Sequence, residues 1–314
     1  MTSRPGSRFP CAFPRIGFAV VSFIGDGDWR IDSIRPTSSG GDVSLAILAR
    51  VKGSLKRKLD PETYERVRAC SWYCRVYLPR RVSSTFIRRT PVVHGRPSEL
   101  VDRLHRINLV AATGMCRIMT KYGSDKGNRW HNYTAVYSKL FGKLHDRPLR
   151  MFELGIGTTD LSVPCNMGAG GVPGASLRGW RELFPNAQVF GADIDSDILF
   201  TEDRIQTFYC DQLDSSAIRA LWAQPAMQGG MDIIIDDGLH TFPANASFLD
   251  ESLEHLRPGG FYFIEDIRNL DFGFWKERLP SYANRFPNCD FALAAVTNPF
   301  NHYDNNLLVI QKQA

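Results

Sequence analysis

The sequence predicts an α/β protein: a doubly wound, mostly parallel seven-stranded sheet with an antiparallel last strand, preceded by a mainly helical N-terminal region. Three observations predict it. From Leu149 onward, short apolar runs alternate with helical stretches, which argues for a parallel sheet covered on both faces. The first run ends in Gly155-Ile156-Gly157 and later ones end in acidic residues, the positions where open parallel sheets bind ligands. The last two runs are joined only by Asn298–Asn306, too short for a helical crossover, so the final strand is expected to be antiparallel.

Taken in order, residues 1–42 read as a weakly structured extension. Arg4, Arg8 and Arg15 precede an apolar Ile16–Ile24, but that run ends in Gly-Asp-Gly-Asp without a small-residue cleavage site, so an export signal is not expected. Pro36–Gly41 is a linker. Residues 43–145 read as a basic, mainly helical region. Val43–Val51 has a helical rhythm, Asp60-Pro61-Glu62 opens a helix toward Tyr77, and Glu99–Lys121 resumes the pattern. Residues 146–314 form the sheet domain. Its strands are expected at Leu149–Leu154, Ala187–Ile194, Ile205–Cys210, Met231–Ile235, Gly260–Ile264, Phe291–Val296 and Leu307–Gln311. Its clearest helices are Ser176–Phe184, Ser215–Trp222 and Pro243–Leu256.

Composition narrows the function classes. A chain of 314 residues with 43% hydrophobic and 23% charged residues is globular and long enough for about two units, which excludes a disordered chain or a fibre. No run approaches the roughly 18–20 apolar residues of a membrane-spanning helix. Residues 1–100 carry 18 Lys and Arg against 8 Asp and Glu, while the remainder carries 20 against 25. The basic residues are dispersed and lack an RNA-binding signature, so a solvated helical surface is expected rather than a nucleic-acid partner. The basic arm could cover the site, bind an anionic carrier or build a homo-oligomer. Seven cysteines without zinc-ligand spacing fit a reducing cytoplasm.

The strand ends carry the chemistry. Glu153-Leu-Gly155-Ile-Gly157 lets the backbone turn tightly beside a ligand, but it lacks the third glycine of the dinucleotide fingerprint. Asp193 is placed to accept hydrogen bonds from ribose hydroxyls, with Asp195 or Ser196 as the alternative helix cap. Asp211 and Gln212 end strand three, where either can read an adenine amine. Asp236-Asp237 and Glu265-Asp266 end strands four and five. Two acidic pairs on adjacent strands repel unless a cation lies between them, and oxygen ligands suit Mg²⁺ or Mn²⁺. His240, three residues after Asp237, reaches the same place as a candidate base. Trp130, Tyr133, Phe272, Phe274 and Trp275 are read equally as an acceptor pocket or as packing.

The Glu-x-Gly-x-Gly turn, the acidic end of strand two and Leu256-Arg-Pro258-Gly259-Gly260 resemble class I S-adenosylmethionine-dependent methyltransferases. Three further segments resemble the metal-dependent sugar O-methyltransferases of macrolide biosynthesis, which are grouped with cephalosporin hydroxylase-like proteins. They are Tyr122–Gly127 with His131-x-Tyr133-x-x-x-Tyr137, Ile235–His240 and Ile264–Asp266. The likeness covers residues 118–312. By position it implies metal ligands at Asp237, Glu265 and Asp266 and a catalytic base at His240. It implies S-adenosylmethionine contacts at Ser124, Tyr137, Glu153, Gly155, Gly157, Asp193 and Asp211. The implied acceptor is a small molecule or glycan with neighbouring hydroxyls, with a catechol-type phenol as the rival. An NAD(P)-dependent oxidoreductase on a similar fold is the other alternative. Two departures stand out: Leu239 replaces the family's serine, and Val163–Gly174 is inserted after the first loop.

Overall fold

The computed structural model describes residues 19–24, 28–33, 89–127, 130–298, 301 and 303–314. The expected helices at Val43–Val51 and toward Tyr77 lie outside them. Two compact units divide the chain, Met1–Ser71 and Trp72–Ala314. In the first, strands β1 (Ala19–Ile24) and β2 (Asp28–Ser33) pair antiparallel.

The second unit is built on a mixed sheet of nine strands, and this corrects the expected seven. In chain order they are β3 (Val92–Gly95), β4 (Arg150–Leu154), β5 (Gln188–Asp193), β6 (Thr201–Glu202), β7 (Ile205–Tyr209), β8 (Met231–Asp236), β9 (Leu256–Ile264), β10 (Cys289–Ala295) and β11 (Asn306–Lys312). The order across the sheet is β3-β10-β11-β9-β8-β4-β5-β7-β6. All seven expected strands are present. The two additions are short edge strands, β3 and β6, each antiparallel to its one neighbour. Their four and two residues are too few for an alternating pattern to register in the sequence. β11 runs antiparallel to both β10 and β9, as the short connection requires.

Among the described residues, three helices precede the sheet's first long strand: α1 (Glu99–His105), α2 (Gly114–Tyr122) and α3 (Tyr133–Phe141). The pattern read as continuous over Glu99–Lys121 is therefore two helices. Ser98 caps the first and Thr113 the second, each accepting from the backbone N–H three residues on. After β4 come α4 (Ala175–Leu183), α5 (Ser215–Trp222), α6 (Phe242–Ser252) and α7 (Phe272–Arg285).

Alternate residues of the central strands feed two cores. Met151, Ile233, Ile235, Phe261 and Phe263 pack with Tyr137, Phe141, Leu177 and Trp180. Phe152, Ile234, Tyr262 and Ile264 pack on the other face with Trp222, Phe248 and Trp275. Burial on both faces is why these strands read as nearly unbroken apolar runs.

The register sets up the site. Leu154 pairs with Ala192 and Asp236, and Asp236 pairs with Ile264, so the carboxyl ends of β5, β4, β8 and β9 stand in one row. Backbone bonds extend that row by a residue: Gly155 N to Ala192 O at 2.8 Å, Asp237 N to Leu154 O at 2.9 Å and Glu265 N to Asp236 O at 2.9 Å.

Candidate active site

Beyond this row lies a cavity of about 490 Å³. Ser124, Gly155, Gly157, Asp193, Asp211, Asp237, His240 and Asp266 line it, together with Lys126, His131 and Asp304. Three further predicted residues, Tyr137, Glu153 and Glu265, are buried next to this lining and bond to its members rather than forming it.

The glycine turn is dictated by close approach. Gly155 has φ +82°, and a Cβ there would stand 2.0 Å from the Asp237 carbonyl oxygen. Gly157 has φ +89°, with the Met167 sulfur where its Cβ would be. Asp193 fastens the turn, accepting from Ile156 N at 2.8 Å and Asp195 N at 3.1 Å. Burial raises its carboxyl above the usual range. Asp195 is the cap of the following turn, accepting from Asp197 N at 3.0 Å, and it also takes the Thr158 hydroxyl. Asp211 accepts from Leu213 N at 2.9 Å. Gln212 is committed to structure: its amide donates to Asp236 at 2.8 and 3.0 Å, and its carbonyl accepts from Leu239 N at 2.8 Å. Its two ends are therefore not free to read an adenine.

A charged cluster closes the floor of the cavity. Lys126 Nζ donates to Asp237 Oδ2 at 2.5 Å and Glu265 Oε2 at 2.6 Å, and stands 3.5 Å from Glu153 Oε1. Tyr137 donates to the other oxygen of Glu265. Glu153 also accepts from the Ser176 hydroxyl and from Trp180 Nε1, the latter at 2.6 Å. Tyr133 donates to Asp266 Oδ1 at 2.8 Å. His240 Nε2 lies 3.2 Å from Asp237 Oδ1, and its Nδ1 lies 3.7 Å from Asp266 Oδ2.

The electrostatics describe a place short of positive charge. Burial pushes Glu265 well above the carboxylate range, raises Glu153, and lifts Asp266 to about 6. Against the cost of burial, Lys126 and His240 hold Asp237 well below its ordinary value. Against the same cost, Asp266 and Asp237 raise the His240 imidazole well above its own.

One ligand atom each from Asp237, His240 and Asp266 lie within 4.8 Å of one another, and so do those of His131, Asp266 and Asp304. The carboxylate oxygens suit a hard divalent ion, whose charge would offset the excess of buried carboxylates, and the imidazole stands beside them. The residues therefore fit Mg²⁺ or Mn²⁺. Of the three implied ligands, Asp237 and Asp266 offer atoms to this group, whereas both oxygens of Glu265 are engaged by Lys126 and Tyr137.

Strain gathers at the same place. Four described non-glycine residues have positive φ, and three of them, Cys165 (+59°), His240 (+56°) and Asp266 (+51°), line the cavity. Such conformations persist where surrounding structure enforces them, and they cluster at functional sites.

Of the five aromatic residues read as pocket or packing, Trp130 lines the cavity. Tyr133 orients Asp266, Trp275 is buried against Phe242, Phe272 meets the His94 ring, and Phe274 is exposed. Sequence reasoning did not single out Lys126 or Asp304; the Val163–Gly174 insertion it did note supplies a wall of the cavity at Val163–Met167. Lys126 stands within the Tyr122–Gly127 segment, so its signal was present. The wall is held by Met167 N donating to Thr158 O at 2.9 Å and Cys165 Sγ donating to Leu239 O at 3.2 Å.

No family profile matches the chain. Two curated relatives bear out the resemblance to sugar O-methyltransferases. The chain is 33% identical over 182 residues to the 8-demethyl-8-(2-methoxy-alpha-L-rhamnosyl)-tetracenomycin-C 3'-O-methyltransferase of Streptomyces olivaceus, covering 58% of this chain and 42% of that one. It is 33% identical over 150 residues to the L-olivosyl-oleandolide 3-O-methyltransferase of Streptomyces antibioticus, covering 48% and 36%. The chain thus spans less than half the length of the curated relatives it matches. Among solved structures, the MycE methyltransferase of the mycinamycin biosynthetic pathway, in complex with Mg and SAH, aligns with a TM-score of 0.49. It is 24% identical and covers 65% of this chain and 55% of its own.

Proposed function

We propose that the chain is an S-adenosylmethionine- and Mg²⁺-dependent O-methyltransferase acting on a hydroxyl of a sugar carried by a natural product, a glycolipid or a polysaccharide. The observation that carries this reading is the meeting, in one cavity, of a glycine turn with His240, Asp237 and Asp266. The relatives' names supply the sugar.

Gly155, Gly157, Asp193, Asp211 and Ser124 hold the donor, while Glu153 and Tyr137 support the floor beneath it. Asp237 and Asp266 hold the ion, with Glu265 adjoining them. Bound there, the donor supplies a sulfonium methyl group and the ion supplies Lewis acidity toward a hydroxyl. His240 would take the hydroxyl proton once a bound ion offsets the carboxylates around it, and Asp237, bonded to its Nε2, steadies the resulting imidazolium. Trp130 and the Val163–Met167 wall position the acceptor and limit water around it.

The charge of the cavity favours this reading over a nicotinamide dinucleotide. Asp125, Asp193, Asp211, Asp237, Asp266 and Asp304 line it against Lys126, an arrangement that welcomes a sulfonium and repels a pyrophosphate. Calorimetric titration of S-adenosylmethionine and of NAD⁺, each with Mg²⁺ and with chelator, tests the proposal. Binding of the methyl donor alone is expected. Binding of NAD⁺ with none of the donor would return the oxidoreductase reading.

A further inference from the structure

Lys126 is 1% exposed, and its ammonium meets carboxylates from the ends of three adjacent strands: Glu153 near the end of β4, Asp237 just after β8 and Glu265 just after β9. An ammonium has three N–H donors, and here each has a carboxylate within 3.5 Å. The backbone around it is pinned. Its carbonyl accepts from Thr134 N at 3.2 Å, and a Cβ on the next residue, Gly127, would press on Thr120 Oγ1 at 3.1 Å. Among the described residues lining the cavity, it is the one Lys or Arg.

We infer that Lys126 is the resident counter-cation of the candidate metal centre: it holds Asp237 and Glu265 together before the ion arrives and then competes with the ion for them. This rests on the metal reading given above. Without a cation, three buried carboxylates on neighbouring strands repel one another, so the metal-free chain depends on this side chain to close its floor. Once a divalent ion binds, the ammonium is a like charge beside it and retains one oxygen each of Asp237 and Glu265. The ion is therefore held less tightly than these carboxylates alone would hold it, and it exchanges freely.

The test compares the wild-type chain, Lys126→Met and the double variant Lys126→Met/Glu265→Gln. It reads thermal midpoints in chelator and in saturating Mg²⁺, and Mn²⁺ affinity by electron paramagnetic resonance, none of which depends on turnover. The wild-type midpoint should change little between chelator and Mg²⁺. Lys126→Met should lose stability in chelator, recover most of it in Mg²⁺, and bind Mn²⁺ at least about tenfold tighter. The double variant, with one buried charge fewer, should regain its midpoint in chelator. Equal loss in chelator and Mg²⁺, or Mn²⁺ binding that is unchanged or weaker, overturns the role of Lys126. If Lys126→Met does not fold, folding of the double variant supports the role and its failure to fold overturns it. A wild-type chain that binds no Mn²⁺ overturns the metal reading itself, and the Lys126 role with it.

Discussion

His240 Nε2 lies 3.2 Å from Asp237 Oδ1, three residues away, because the backbone turns left-handed at His240 and folds the imidazole back over the end of β8. The contact joins the candidate base to a candidate metal ligand, and removing either residue separates two functions. His240→Ala should lower kcat by about 10²–10⁴-fold while the dissociation constant of the methyl donor stays within about twofold. Asp237→Ala should abolish the response of activity to Mg²⁺ and chelator. Steady-state kinetics with donor calorimetry checks both. A donor affinity that collapses in His240→Ala would remove His240 from its assigned role.

Gly155 leaves no room for a side chain against the Asp237 carbonyl and has a backbone conformation that favours glycine. Gly155→Ala should therefore destabilise the fold by about 1–3 kcal/mol and abolish donor binding. Thermal melting and calorimetry measure the two effects. Full retention of donor binding would show that the turn does not cradle the donor.

His255 stacks on Trp222 with ring centroids 4.6 Å apart and planes 11° apart, on the face of the sheet away from α3 and α4. Burial lowers its imidazole below the ordinary value. The folded state then prefers neutral His255, so its contribution is complete above the unfolded value of about 6.5 and fades as pH falls through and below it. The difference in thermal midpoint between the wild-type chain and His255→Asn should accordingly shrink from pH 8 to pH 5. A difference that grows on acidification would reverse the assignment.

Cys165 is exposed at the mouth of the cavity, whereas Cys116, Cys210 and Cys289 are buried. Burial pushes the Cys210 thiol up to about 12. A maleimide at neutral pH should label Cys165 ahead of these three, and S-adenosylhomocysteine should slow that labelling. Peptide mapping by mass spectrometry reads the order. Labelling of Cys165 at the same rate with and without the product would place the donor away from the inserted wall.

Local patterns revealed the site in part. Gly155, Asp193, Asp237 and Asp266 could be assigned from the sequence because a parallel strand ends abruptly, and the residues just beyond its end lie at the ligand face regardless of the rest of the chain. Asp195 as a cap was legible for the same local reason. The family resemblance implied donor contacts at Tyr137 and Glu153 and a metal ligand at Glu265, but not their place beneath the cavity, which depends on how α3 and α4 pack over the sheet.

By itself, the sequence determined the α/β class, the seven long strands, the reversed final strand and the acidic strand ends, since each arises from hydrophobic period, glycine placement or connection length. Only the tertiary structure decided the two edge strands, the commitment of Gln212 to Asp236 and the position of Lys126. Lys126 meets Asp237 and Glu265 across 111 and 139 residues of chain. No local pattern encodes a contact of that span; it exists because burial compels a charged group to find partners wherever the fold brings them.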